Sequence, residues 1–139
     1  MCEIFISAHP ESYASRTRSV RLHGVVTSIR LENLYWEVLE EIGQRDAMGV
    51  VQLIEKLYDE LVEARGEVGN FASFLRVSAL RYMALQAHQR IPMDLNVPIG
   101  SLNPRSVLRE LPASWAVAQR SSPGAAVDSL QKAQLITTI

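Results

Sequence analysis

Hydrophobic and polar positions alternate through Val25-Val26-Thr27-Ser28-Ile29-Arg30-Leu31-Glu32, a period of two that predicts a strand. Ile29 and Leu31 fall on one face and Ser28 and Arg30 on the other. The apolar face must be buried, which leaves Ser28 and Arg30 outward. From Asn33 the period changes: Leu34, Val38, Leu39 and Ile42 recur at helical spacing, with Trp36 beside them, while Glu37, Glu40 and Glu41 face water. Gly43 and Asp46-Ala47-Met48-Gly49 interrupt this helix. Val50, Leu53, Ile54, Leu57 and Leu61 then resume the period through about Glu63. Two helices joined by a short connection follow from that pattern.

Arg65-Gly66-Glu67-Val68-Gly69 breaks the second helix, and Asn70 is placed to cap a third by accepting backbone N–H bonds. Phe71, Phe74, Leu75, Val77, Ala79, Leu80, Tyr82 and Met83 make that third helix apolar around much of its circumference, which implies burial against more than one element, an intersubunit contact included. A lone strand with one helix pair cannot satisfy its edges, so pairing with its twin from a second chain is the economical expectation.

Before the strand, Glu3-Ile4-Phe5-Ile6-Ser7-Ala8 has β-favouring residues and stops at His9-Pro10, which predicts a short edge strand. Residues 15 to 24 mix basic, polar and alternating apolar positions, with Gly24 permitting a bend. They read either as a basic arm reaching beside the main surface or as an ordinary strand and turn. After about Arg90 the pattern dissolves. Five of the six prolines (Pro92, Pro98, Pro104, Pro112, Pro123) fall there, so long helices are excluded. Asn103-Pro104-Arg105-Ser106 suits the start of one short helix through Leu111, and the rest reads as extended up to a modestly apolar Leu135-Ile136-Thr137-Thr138-Ile139. No repeat of useful length is expected. The chain thus divides into an N-terminal strand and basic arm (1 to 19), a strand-and-helix domain with its third helix (20 to 90) and a proline-containing, partly irregular tail (91 to 139).

Composition changes this picture little: 139 residues at 47% hydrophobic suit one domain with extensions. Cys2, the single cysteine, allows neither an internal disulfide nor a multi-thiolate site, which fits a reducing compartment. No apolar run approaches the ~18 residues needed to span a bilayer, and Met1-Cys2-Glu3-Ile4 lacks the basic start of a signal peptide. A cytoplasmic protein without membrane contact is expected.

Charge matters more than its total of −1 suggests. Residues 1 to 30 carry Arg16, Arg18, Arg21 and Arg30 against Glu3 and Glu11, whereas residues 31 to 69 carry ten acidic side chains against three basic ones. A basic leading segment therefore precedes an acidic helical body, as expected where one face meets phosphate and the other is solvated. Taken alone, the acidic helices are an ordinary solvated face.

These residues resemble the ribbon-helix-helix superfamily, the Met-repressor-like fold, in its bacterial branch with an added third helix. The resemblance spans roughly residues 20 to 83 and rests on Gly24, Thr27-Ser28-Ile29-Arg30-Leu31-Glu32, Trp36 and Asn70-Phe71-Ala72-Ser73-Phe74-Leu75-Arg76-Val77. It implies a mainly α fold with a short β-ribbon, an intertwined homodimer, and insertion of an antiparallel ribbon into the major groove of double-stranded DNA. Carried over by position, Val26, Ser28 and Arg30 would face the bases. The chain departs from the pattern at Val26, where the branch often has a basic side chain. It departs again at Gly49-Val50-Val51, where the second helix often opens on a hydroxyl.

The chemistry suits this implication. An Arg30 guanidinium can donate a fork of hydrogen bonds to guanine O6 and N7, and Ser28 can donate or accept at base edges. The plain reading makes both unpartnered, solvent-facing strand residues. Arg16, Arg18 and Arg21 would attract phosphate without sequence choice, unless they belong to a plain surface arm, and the backbone N–H groups of Gly49, Val50 and Val51 could hold a phosphate at a helix start. Arg76, in an apolar helix, should reach the surface, pair with an acid or touch phosphate. Tyr35 and Trp36 read as packing. His9, His23 and His88 lack metal spacing, Cys2 lacks a partner base and no phosphate-cradling glycine loop is present, so neither an enzyme nor a cofactor is expected. A DNA-binding regulator, acting as a repressor, is the leading expectation. The other is a protein-interaction module, antitoxin-like or adaptor, that binds a protein partner through the third helix and tail.

Overall fold

A computed structural model describes residues 2 to 115. In chain order it comprises helices α1 (Cys2–Ile6) and α2 (Pro10–Tyr13), strands β1 (Ser15–Leu22) and β2 (Val25–Glu32), and helices α3 (Asn33–Arg45), α4 (Val50–Arg65) and α5 (Phe71–Ala87). A 3-10 turn (Ile99–Ser101), helix α6 (Pro104–Val107) and a second 3-10 turn (Ala113–Trp115) complete it. The sequence-derived expectations for Pro123 and for the apolar stretch 135 to 139 lie outside the described residues.

Three helices stand where helical periodicity placed them. Asn70 caps α5 by accepting from the Ser73 N–H at 3.1 Å, as its short amide side chain favours. Gly43 sits inside α3 because the chain returns closely there: a Cβ at this position would lie 2.8 Å from the Met48 carbonyl oxygen. The weak point in the helical pattern is thus a site of close packing.

The expected edge strand at residues 3 to 8 is instead α1. No described strand pairs with it, so its backbone closes bonds locally, Ser7 N–H donating to Glu3 O at 3.2 Å. The expectation of a ribbon shared between two chains is also corrected, because β2 pairs with β1 of its own chain, antiparallel, from Leu22↔Val25 to Ser15↔Glu32. His23 and Gly24 connect the strands at φ 48° and 81°, and left-handed backbone at both central residues is the geometry of the type I′ turn. That turn matches the natural strand twist, so a two-residue loop closes the hairpin without a partner. Of the two readings of residues 15 to 24, the strand and turn is what forms.

Val20, Leu22, Ile29 and Leu31 from the inner face of this hairpin enter one core with Trp36, Leu39, Val50, Leu53, Ile54, Leu75 and Ala79. Leu31 and Trp36 are fully buried, each side chain contributing roughly 1.5–3 kcal/mol by burial. One sheet layer backed by α3, α4 and α5 of the same chain is the result.

A second, smaller core corrects the expectation of an extended tail from residue 91 onward. Tyr82, Leu85 and Ile91 are buried with Ile99, Leu102, Val107, Leu108 and Leu111 packed against them. The capped helix begins as expected, with Asn103 accepting from Arg105 N–H at 3.0 Å, but ends at Val107 rather than Leu111. Buried Arg45 fastens this segment. It donates to the carbonyls of Pro92 (2.9 Å), Asp94 (3.0 Å) and Val97 (3.0 Å) and to Tyr82 Oη (3.2 Å). Tyr82 in turn donates to Glu41 Oε2 at 2.7 Å, and burial pushes its phenol above its ordinary pKa, which keeps that donor protonated.

Candidate nucleic-acid interface

Alternation along the paired strands sorts the ribbon side chains. Thr17, Ser19 and Arg21 of β1 and Val26, Ser28 and Arg30 of β2 are all exposed and share the outer face, in the opposed pairs Thr17↔Arg30, Ser19↔Ser28 and Arg21↔Val26. These six positions carry two arginines, three hydroxyls and one valine, and the fourth pair of this face, Ser15↔Glu32, adds one carboxylate at the end far from the turn, where Arg76 holds it. The face can donate forked hydrogen bonds from either end and exchange donor and acceptor roles at its centre.

The surrounding structure holds that face in place. At the tip, His23 Nε2 lies 2.7 Å from Asp59 Oδ1, and its ring meets Tyr58 edge-on at 5.1 Å. Tyr58 continues edge-on to Phe71 at 5.2 Å, tying the tip to α4 and α5. At the other end, Arg76 of α5 grips Glu32 with two bonds of 2.9 and 3.2 Å and reaches Arg30 O at 3.4 Å. The hydrogen bond from Arg76 draws the Glu32 carboxyl below its ordinary pKa, so it stays charged and paired. Trp36 Nε1 also donates to Arg16 O at 2.9 Å. Arg76 is thus a structural partner, and Trp36 a core residue.

The basic residues expected to act together are divided by the hairpin. Arg21 joins the outer face, its Nη1 donating to Gly24 O at 3.2 Å. Arg16 and Arg18 take the opposite parity and pair with Glu40 of α3 at 3.6 and 2.9 Å, with the Arg18 guanidinium 5.2 Å from the Trp36 ring centre. Gly49 precedes α4, but its own N–H already donates to Gln52 Oε1 at 3.3 Å; Val50 is buried, and Val51 is 37% exposed. Thr17 and Ser19 were missed by sequence reasoning. The signal for Ser19 was a four-residue recurrence, Ser19-Val20-Arg21-Leu22 returning nine residues later as Ser28-Ile29-Arg30-Leu31, and for Thr17 only the alternation of the strand.

A two-stranded ribbon with an apolar inner face on a helix pair and a polar, basic outer face defines a class of ribbon-presenting modules. Residues 15–83 match the model of the ribbon-helix-helix domain, and the chain belongs to that family. It is also similar to the solved structure of an uncharacterized protein from Bordetella pertussis Tohama I. The two share 60% sequence identity over 88% of this chain and 98% of that one, with a TM-score of 0.84. A comparison with curated proteins finds no match. Among the described residues no helix is long and apolar enough to cross a membrane.

Proposed function

We propose that the protein is a cytoplasmic DNA-binding transcription regulator that lays its ribbon in the major groove and represses by occupying its site. The observation that carries this reading is the exposure of Ser28 and Arg30 on the ribbon face while Ile29 and Leu31, at 4% and 0% exposure, anchor the strand from behind. The B-form major groove is about 12 Å wide and admits a two-stranded ribbon. In this reading Arg30 forks onto guanine, Ser28 bonds a base edge, and Val26, 61% exposed, lies against a thymine methyl.

Phosphates flanking the groove fall to Arg16 and Arg18 and to the amides of Val50 and Val51, since the Gly49 N–H is taken by Gln52. An exposed ion pair contributes only about 0–1 kcal/mol, so Arg16, its side chain 48% exposed, can exchange Glu40 for phosphate at little cost. Arg18 is held more firmly by its shorter bond and its position over Trp36.

The test is an Arg30→Ala variant in a shift assay at matched salt, using duplexes selected from random sequence. Binding to the selected site falls about ten- to a hundredfold, the worth of one forked base contact, while the fold is unchanged. Equal binding by the variant refutes the assignment.

Leu34, Leu80 and Met83, 53%, 55% and 48% exposed, line an apolar groove of about 420 Å³ with Tyr13 and Val38, and Val77 of the same helix as Leu80 and Met83 is 58% exposed. We assign this face to a second copy of the chain, forming the homodimer. The same exposure supports the second reading, a protein-interaction module whose third helix and tail bind a different protein. The mass of the free protein in solution separates them: a dimer supports the first reading, and a monomer at all concentrations favours the second.

A further inference from the structure

The ribbon is nearly symmetric within one chain. Moving nine residues along the sequence carries Val20, Arg21 and Leu22 onto Ile29, Arg30 and Leu31, and Ser19 onto Ser28. The register makes Ser19 and Ser28 directly opposed partners. Sequence repeat and register therefore coincide: a local two-fold axis runs between the two serines, perpendicular to the sheet. It relates Arg21 to Arg30 at opposite ends of the outer face, the inner anchors Val20 and Leu22 to Ile29 and Leu31, and Thr17 to Val26. Neither the pairing alone nor the repeat alone would produce this arrangement.

We infer that a single chain supplies both halves of the reading surface, with Arg21 as the counterpart of Arg30, and that the ligand is a short, imperfect inverted repeat in duplex DNA. The inference rests on the DNA-binding reading above and adds β1 to it. Arg21 and Arg30 are separated by four residues along antiparallel strands, about 13 Å at ~3.3 Å per residue. That distance equals about four base-pair steps at ~3.4 Å each. The two arginines therefore reach guanines on opposite strands about four steps apart, with the Ser19/Ser28 pair over the centre. On the outer face between the two arginines the symmetry is broken where Thr17 stands against Val26, and on the inner face at Arg18 against Thr27 and Arg16 against Val25, so the two half-sites differ at the neighbouring base.

The test begins with selection of bound duplexes from a random library at physiological salt using the full chain. The recovered site is then trimmed to about one helical turn and offered in excess, and the complex is weighed by native mass spectrometry. The expected ratio is one chain per duplex, and R21A and R30A each lose about ten- to a hundredfold in binding, relaxing preference at opposite ends of the site. R21K keeps the charge without the planar fork, so it retains low-salt, non-specific binding but loses discrimination at its own end. R21A binding as the unaltered protein does while R30A fails overturns the single-chain ribbon and leaves DNA binding standing. Failure to enrich any duplex overturns both.

Discussion

Arg45 is the residue whose removal should separate the two cores. Its guanidinium makes four hydrogen bonds, three of them to the carbonyls of Pro92, Asp94 and Val97. A hydrogen bond from a charged donor is worth about 1.5–3 kcal/mol, so the gross loss in Arg45→Met is large. Residues 92 to 96 are exposed, however, and their carbonyls recover water once the segment lifts away. The net cost is therefore limited to undocking, about 2–4 kcal/mol. At about 1.4 kcal/mol per tenfold, local opening becomes roughly 30- to 700-fold more frequent. Hydrogen exchange measured peptide by peptide should show faster exchange across residues 91 to 111 and undiminished protection in β2 and α3. Lysine at this position recovers little, because a single ammonium cannot span three carbonyls as a planar fork does. Unchanged protection of residues 91 to 111, or equal loss in β2, would show that Arg45 does not fasten this segment.

Two further perturbations probe the ribbon's support. Gly43→Ala should destabilise the protein by about 1–3 kcal/mol even though alanine favours helices, because its Cβ would lie 2.8 Å from Met48 O; a raised melting temperature would contradict this. The Glu32 carboxyl is held below its ordinary 4.5 by the Arg76 hydrogen bond, so the Arg76–Glu32 clip contributes stability above that pH and loses it as pH falls through the lower folded value. The stability advantage of the unaltered protein over Glu32→Gln, measured by urea unfolding, should be full at about pH 6 and shrink below pH 4.5. A difference that stays constant into acid would show that the carboxylate does not act this way.

Residues 25 to 32 were legible because a half-buried strand writes its two faces directly into alternation. Residues 15 to 22 obey the same alternation, but Arg16 and Arg18 occupy inward positions, where both pair with Glu40 and Arg18 lies over the Trp36 ring. Charge at apolar-parity positions disguised the strand as an arm. The pairing partner was written elsewhere, in the recurrence of Ser-Val-Arg-Leu as Ser-Ile-Arg-Leu and in a two-residue His23-Gly24 loop that can take left-handed backbone. α3, α4 and α5 were recovered because their apolar faces repeat over several turns and Asn70 marks a start. The ordered segment after Arg90 was not, since Ile99, Leu102, Val107 and Leu108 sit on short turns with no sustained period. Its main fastening is Arg45, 52 residues before Val97, a distance over which local pattern carries no signal. At the candidate site, Ser28 and Arg30 followed from the strand alone, whereas Thr17, Ser19 and the placement of Arg21 required the hairpin.

Placement of DNA on the outer face of the ribbon is read from backbone and side-chain NMR shifts on adding the selected duplex. Perturbations should concentrate at Thr17, Ser19, Arg21, Val26, Ser28 and Arg30, weaken as salt is raised and leave Val77, Leu80 and Met83 unmoved. Perturbations centred on the exposed face of α5, with the ribbon signals unchanged, would contradict that placement.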